Sequence, residues 1–164
     1  MLRDKSLIPL SHQHQRALAL CVRIDRAHPI PERDLEAWQV EINQHFRQEI
    51  DSHFSAEEGV LFPIADHFDE LKPLVEELTA DHARLREFFL QAESRVPSSE
   101  SLSRFAQTFS AHIRKEERQL FERLQKLMTG DELKTLGANL EAALKKGEQA
   151  CLLPNQATRL KPRK

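Results

Sequence analysis

Two stretches of this chain repeat one arrangement of a histidine and two acids. His53-Phe54-Ser55-Ala56-Glu57-Glu58-Gly59-Val60-Leu61-Phe62 and His112-Ile113-Arg114-Lys115-Glu116-Glu117-Arg118-Gln119-Leu120-Phe121 both read H-x-x-x-E-E-x-x-L-F. On a helix, residues four apart share a face, rotated by about 40° and separated by about 6 Å along the axis. His53 with Glu57, and His112 with Glu116, can therefore each grip a metal centre. Spacing alone says little in a chain so rich in glutamate, and His45-Phe46-Arg47-Gln48-Glu49 is a third instance. The weight lies in what precedes the two long copies. Leu10-Ser11-His12-Gln13-His14-Gln15-Arg16 matches Leu78-Thr79-Ala80-Asp81-His82-Ala83-Arg84 as L-[ST]-x-x-H-x-R. A histidine followed by H-x-x-x-E, twice over, reads as a helical hairpin repeated once.

Four helices must position these groups. Apolar residues recur with a 3.6-residue rhythm from about Pro9 to Ala27, and His28-Pro29-Ile30-Pro31 ends that helix. The second helix begins near Glu32. Its inward stripe includes Leu35, Trp38, Ile42, Phe46, Glu49, His53, Glu57, Val60 and Ile64, and Pro63 ends or kinks it. Three ionisable groups on such a stripe cost several kcal/mol each unless they are paired or bind a metal, roughly the penalty for burying charge. Lys72-Pro73 opens the third helix, with Leu74, Leu78, His82, Leu85 and Phe89 facing in. Ser98 or Ser99 caps the fourth, which runs from about Glu100 to Met128 with Leu102, Phe105, Phe109, His112, Glu116, Leu120 and Leu127 facing in. Thr129 and Glu132 form a capping box for a fifth, from about Asp131 to Lys146.

The fold class expected is thus all-α, an up-down-up-down four-helix bundle with an additional C-terminal helix. Residues 1–147 would form one body (bundle core about 9–128, extra helix 131–147), and residues 148–164 a basic, solvated tail. A net charge of −2 gives no reason to expect nucleic acid. No apolar run approaches the roughly 18 residues of a membrane span, and no signal peptide is evident, so a cytoplasmic location is the expectation. Cys21 and Cys151 form no metal-type C-x-x-C, and Cys21 reads as a small core residue.

Four histidines on four helices with two glutamates can supply two metal ions with two imidazoles each and two bridging carboxylates. Nitrogen and oxygen donors without thiolate suit iron or manganese, with zinc as a substitute. The absence of E-x-x-H disfavours the ferritin-like carboxylate arrangement, and the absence of tyrosine excludes a tyrosyl radical.

At these residues the chain resembles the hemerythrin-like family, also called the HHE cation-binding domain, over roughly Leu10 to Met128. The resemblance implies a four-helix bundle around two iron ions joined by an oxo or hydroxo bridge. It assigns His14 and His53 to one iron, His82 and His112 to the other, and Glu57 and Glu116 to the bridge. Such centres bind oxygen, nitric oxide or peroxide at an open iron position. Oxygen carriers of this kind have H-x-x-x-H on the third helix, where this chain has Leu78 four residues before His82. The remaining four-histidine, two-glutamate set is similar to bacterial di-iron proteins associated with iron-sulfur cluster repair.

Glu49, one turn before His53, can replace the missing ligand or hydrogen-bond to an imidazole. Carrier-type members place the carboxylate five residues after the histidine, which would select Glu117; the internal repeat selects Glu116 by parity with Glu57. His45 precedes His53 by eight residues, which on an α-helix puts it about 80° off the stripe and about 12 Å away. His12, His28 and His67 read as surface residues. Close approach of another segment is expected at Gly59.

The function expected is sensing, scavenging or storage of a diatomic ligand or peroxide. The alternatives are a di-iron redox enzyme or cluster-repair protein, and a metal-stabilised scaffold for a redox or signalling partner. The residues do not decide whether the protein is an enzyme.

Overall fold

Proline and short polar caps set the helix boundaries. In a computed structural model, which describes residues 2–145 and 156–160, Pro9 lies in the first turn of α1 (Ile8–Ala27) and Pro73 in the first turn of α3 (Lys72–Ser94). Neither position needs an N–H donor. Between them α2 spans 32–65, and a 3-10 turn, Asp69–Leu71, leads into α3. The Ser98 hydroxyl accepts from the Ser101 N–H and opens α4 (99–127). Thr129 and Glu132 form the complete reciprocal capping box at the start of α5 (Gly130–Leu144). Among the described residues every regular element is helical, and no helix is long and apolar enough to cross a membrane. Lys146, Gly147 and Cys151 lie outside the described residues.

Two of these helices are not uniformly α. Helix α2 contains π-helical turns at Phe46–Ile50 and Glu57–Leu61, and α4 contains one at Glu116–Leu120. Each closes with an N–H bonding five residues back, as from Phe62 to the Glu57 carbonyl and from Phe121 to the Glu116 carbonyl. A π turn inserts one residue without advancing the helix face. This changes two expectations. Eight residues from His45 to His53 turn the chain only as far as about seven α-helical residues, so His45 returns to the inward face and is fully buried. Likewise, beyond Glu116 the inward positions shift by one, which buries Phe121 and Leu124 and leaves Leu127 exposed.

The apolar core falls into two clusters. One contains Cys21, Trp38, Phe54, Leu85, Phe89, Phe105, Phe109 and Ile113, and burial pushes the Cys21 thiol up to about 12. The other contains Leu10, Leu61, Phe62, Leu78, Leu120 and Phe121, to which α5 adds Leu136 and Leu140. His14, His53, Glu57, His82, His112 and Glu116 lie in sequence at the junction of the two on all four bundle helices, a polar layer clamped by apolar ones. Each buried Leu or Phe above and below contributes about 1.5–3 kcal/mol.

Helix α5 packs against residues 51–61 of α2, behind the first H-x-x-x-E-E motif. The close approach expected at Gly59 occurs elsewhere. No surrounding atom lies within 4 Å of a Cβ built on Gly59, whereas a Cβ on Gly137 of α5 would stand 2.8 Å from the Ser6 Cβ and 3.0 Å from its Cα. Gly137→Ala is therefore expected to destabilise the fold by about 1–3 kcal/mol, as overpacking does. Gly59→Ala should instead stabilise it by about 0.5–1 kcal/mol through helix propensity. Urea unfolding of the two variants measures both signs.

At the far end of the bundle, the Arg23 side chain pairs with Glu41 and donates to the Thr158 carbonyl at 2.9 Å. Within residues 156–160, Thr158 is buried.

Candidate metal centre

Six ionisable side chains converge in the polar layer, and all are nearly inaccessible to water. His14, His53, Glu57 and Glu116 offer donor atoms within 4.8 Å of one another, and so do Glu57, His82, His112 and Glu116. The two glutamates belong to both groups. Each H-x-x-x-E pair meets as helical spacing dictates, with His53 Nε2 3.2 Å from Glu57 and His112 Nε2 3.3 Å from Glu116. The opposite helices complete the groups. His14 Nε2 lies 3.2 Å from Glu116, and His82 Nε2 lies 3.3 Å from Glu57.

The outward nitrogens reveal a second ring of contacts. His53 Nδ1 is 2.7 Å from Gln13 Oε1, His82 Nδ1 is 2.9 Å from Glu58, and His14 Nδ1 is 2.7 Å from Glu117. Asp81 stands 3.6 Å from His112 Nδ1, longer than a hydrogen bond but within ion-pair range. The order is circular: α1 supports an imidazole of α2, α2 one of α3, α3 one of α4, and α4 one of α1. The residue before the histidine in each L-[ST]-x-x-H, and the second glutamate in each E-E, take equivalent places. Cations flank three of these four supports, as Arg3 pairs with Glu117, Arg86 with Glu58, and Lys115 with Asp81.

Carboxylate and amide oxygens at Glu58, Glu117 and Gln13 accept, so Nδ1 of His14, His53 and His82 carries the proton. In the neutral rings Nε2 then presents a lone pair to the centre. His14 and His53 Nε2 are 3.0 Å apart, and His82 and His112 Nε2 are 3.1 Å apart. Two metal–nitrogen bonds of about 2.1 Å at a right angle separate their donor atoms by about 3.0 Å. Both carboxylates also keep all four oxygens buried without a hydrogen bond from the protein. Such orphaned anions are costly. Facing lone pairs and unsatisfied carboxylates together fit the chemistry of a metal cation site, and Glu57 and Glu116 belong to both donor groups.

Without a cation, protons take that role. Burial opposes a charge on His14, but the carboxylates of Glu116, Glu117 and Glu57 outweigh it and hold its pKa well above the ordinary histidine value. His82 is raised in the same way, against burial, by Glu57, Glu116 and Glu58. Burial also opposes ionisation of Glu57, yet His53, His14 and His82 keep its pKa well below the usual carboxylate range. Beside His112, Asp81 is lowered to about 2.

The remaining sequence candidates are placed differently. Glu117 faces His14 Nδ1 and accepts from Ser11 and Arg3, and Glu116 alone of that pair faces the centre. Glu49 is buried, but it belongs to neither donor group and is held by Arg16. His12, His28 and His67 are exposed. Gln13, Glu58 and Asp81 were not singled out from sequence; their signal is their constant place beside repeated histidines and glutamates.

The two histidine pairs have unequal surroundings. His82 stacks between Phe54 and Phe62, with ring centroids 3.9 and 5.3 Å away, which fills the space on that side. His14 and His53 border a cavity of about 10 Å³ lined also by Gln13, Ala17, Glu49, Ile50 and Phe109.

Comparison with family models matches residues 9–124 to the hemerythrin HHE cation binding domain. Comparison with curated proteins and with solved structures returns no significant match.

Proposed function

Because the chain belongs to the hemerythrin HHE cation-binding domain family, we propose that it holds two iron ions and binds a diatomic ligand, oxygen or nitric oxide, on the side of His14 and His53. The observation that carries this reading is the cavity of about 10 Å³ that adjoins His14 and His53, where His14 stacks on a single ring, Phe121, while His82 lies against two, Phe54 and Phe62. That volume is at the lower limit for one water molecule, which favours a diatomic over a larger reducible substrate. In this reading His14 and His53 hold one ion, His82 and His112 the other, and Glu57 and Glu116 bridge them. Iron would supply an exchangeable coordination position and redox capacity. The protein supplies the rest: Gln13, Glu58, Asp81 and Glu117 fix the imidazoles, and Ala17, Ile50 and Phe109 give the cavity an apolar wall that keeps bulk water out.

The test is anaerobic purification with metal analysis, followed by visible spectra of the Fe(II) protein before and after nitric oxide. Two iron atoms per chain and a new absorption band on adding nitric oxide are the expected result. Iron uptake without any spectral response to nitric oxide or oxygen would leave the metal a structural part and refute the reading.

A further inference from the structure

Glu49 is a carboxylate in an unusual position. It is only 2 % exposed, yet it lines the cavity beside His14 and His53 without joining either donor group. Its oxygens are both engaged by one guanidinium: Arg16 Nε donates to Oε1 at 3.0 Å and to Oε2 at 2.9 Å, and Arg16 Nη2 is 2.7 Å from Oε2. On the other flank His45, fully buried and with neither ring nitrogen hydrogen-bonded, places Nε2 3.6 Å from Glu49 Oε1. A carboxylate is a good donor for iron, and an unrestrained one on the wall of a ligand cavity competes with whatever enters. The forked guanidinium satisfies both oxygens at once, which a single point charge does not. The helix register adds to this arrangement, since the π turn Phe46–Ile50 contains Glu49 and fixes its phase relative to His53.

We propose that Arg16 is a positioning residue that keeps the Glu49 carboxylate off the His14/His53 metal and so preserves the exchangeable position for a diatomic ligand. The inference rests on the function proposed above and names the device that keeps that site open. It also accounts for the H-x-R part of the first repeat, since Arg84, the counterpart of Arg16, bonds to Asp81 instead.

The experiment uses the full chain loaded anaerobically with Fe(II), with nitric oxide as the probe, in wild type, Arg16→Met, Glu49→Gln and the double variant. The Arg16 side chain is 40 % exposed and lies outside both apolar clusters, but its loss leaves the buried Glu49 carboxylate without its cation, so Arg16→Lys provides a second, charge-retaining variant. Arg16→Met is expected to change the visible spectrum before nitric oxide is added and to slow its binding by about tenfold or more, the scale on which contacts around a metal act. Arg16→Lys should fall in between. Adding Glu49→Gln to Arg16→Met should restore binding to within about threefold of wild type, a rescue that general loosening of the fold would not give. Binding by Arg16→Met within about twofold of wild type, or a double variant as slow as the single one, overturns the proposal. A wild type that takes up iron but never binds nitric oxide overturns the function reading, and this inference with it, so the two failures are distinguishable.

Discussion

Titrating Fe(II) into the metal-free protein raises its melting temperature by about 10–20 °C at saturating metal. Each of two sites adds about 2.7 kcal/mol at a hundredfold excess over the dissociation constant, and a chain of this size gains about 2–4 °C per kcal/mol. The gain depends on pH, and its sign follows from the shifted groups. His14 and His82 have raised pKa values in the fold, so their contribution to the metal-free protein is complete below the unfolded value of about 6.5 and is lost as pH rises through the folded values. Glu57 is depressed, so its contribution is present above about 4.5 and is lost as pH falls through its folded value. The metal-free centre thus helps the fold most between these limits. At higher pH the imidazoles become neutral, the orphaned carboxylates lose their counter-charge, and the same neutral imidazoles bind metal better. The gap between metal-loaded and metal-free melting temperatures should widen from pH 6 to pH 8, as differential scanning calorimetry would record. A melting temperature indifferent to Fe(II) at neutral pH would refute the core site.

The second large effect separates the two glutamates of each E-E pair. Glu57→Gln and Glu116→Gln remove a carboxylate that faces both histidine pairs, and each is expected to lower iron content below two per chain and to weaken binding by more than about 100-fold. Glu58→Gln and Glu117→Gln leave every central donor atom in place and change the hydrogen bond to an imidazole together with the ion pair to Arg86 or Arg3, with an expected loss of about 10–100-fold in affinity. Iron analysis together with the spectrum of coupled ions measures the contrast. Equal losses at Glu116 and Glu117 would contradict the division of labour between them.

Much of the fold and the placement of the central residues could be read in the sequence, because both depend on helical periodicity and on a repeated motif. The prolines at 9 and 73, the Ser98 cap and the Thr129 capping box are local signals, and they mark the starts of four helices. Side chains four residues apart meet whether or not the rest of the helix is known, so His53 with Glu57 and His112 with Glu116 needed no tertiary information. The π turns were not legible. A one-residue insertion leaves the composition unchanged and alters only the phase beyond it, which is why His45 was expected off the stripe and Leu127 on it. The outer supports were hidden for a different reason. Gln13 before His14 and Glu58 after Glu57 look like ordinary solvent-facing residues until the neighbouring helix is in place. Gly137 could not be read either, since its partner Ser6 is distant in sequence and lies in no motif.

The circular order of supports maps onto itself when the first hairpin is exchanged for the second. Gln13 and Asp81 then trade places, as do Glu58 and Glu117, while the Gln-for-Asp substitution, the Arg16–Glu49 pair, the π turn Phe46–Ile50 and Phe54 in the place of Ile113 break the symmetry. The information needed to build the centre therefore amounts to one hairpin written twice. Once both halves share a single chain, each is free to diverge, so that two aromatic rings can pack on one imidazole of the second pair while a small cavity is left beside the first.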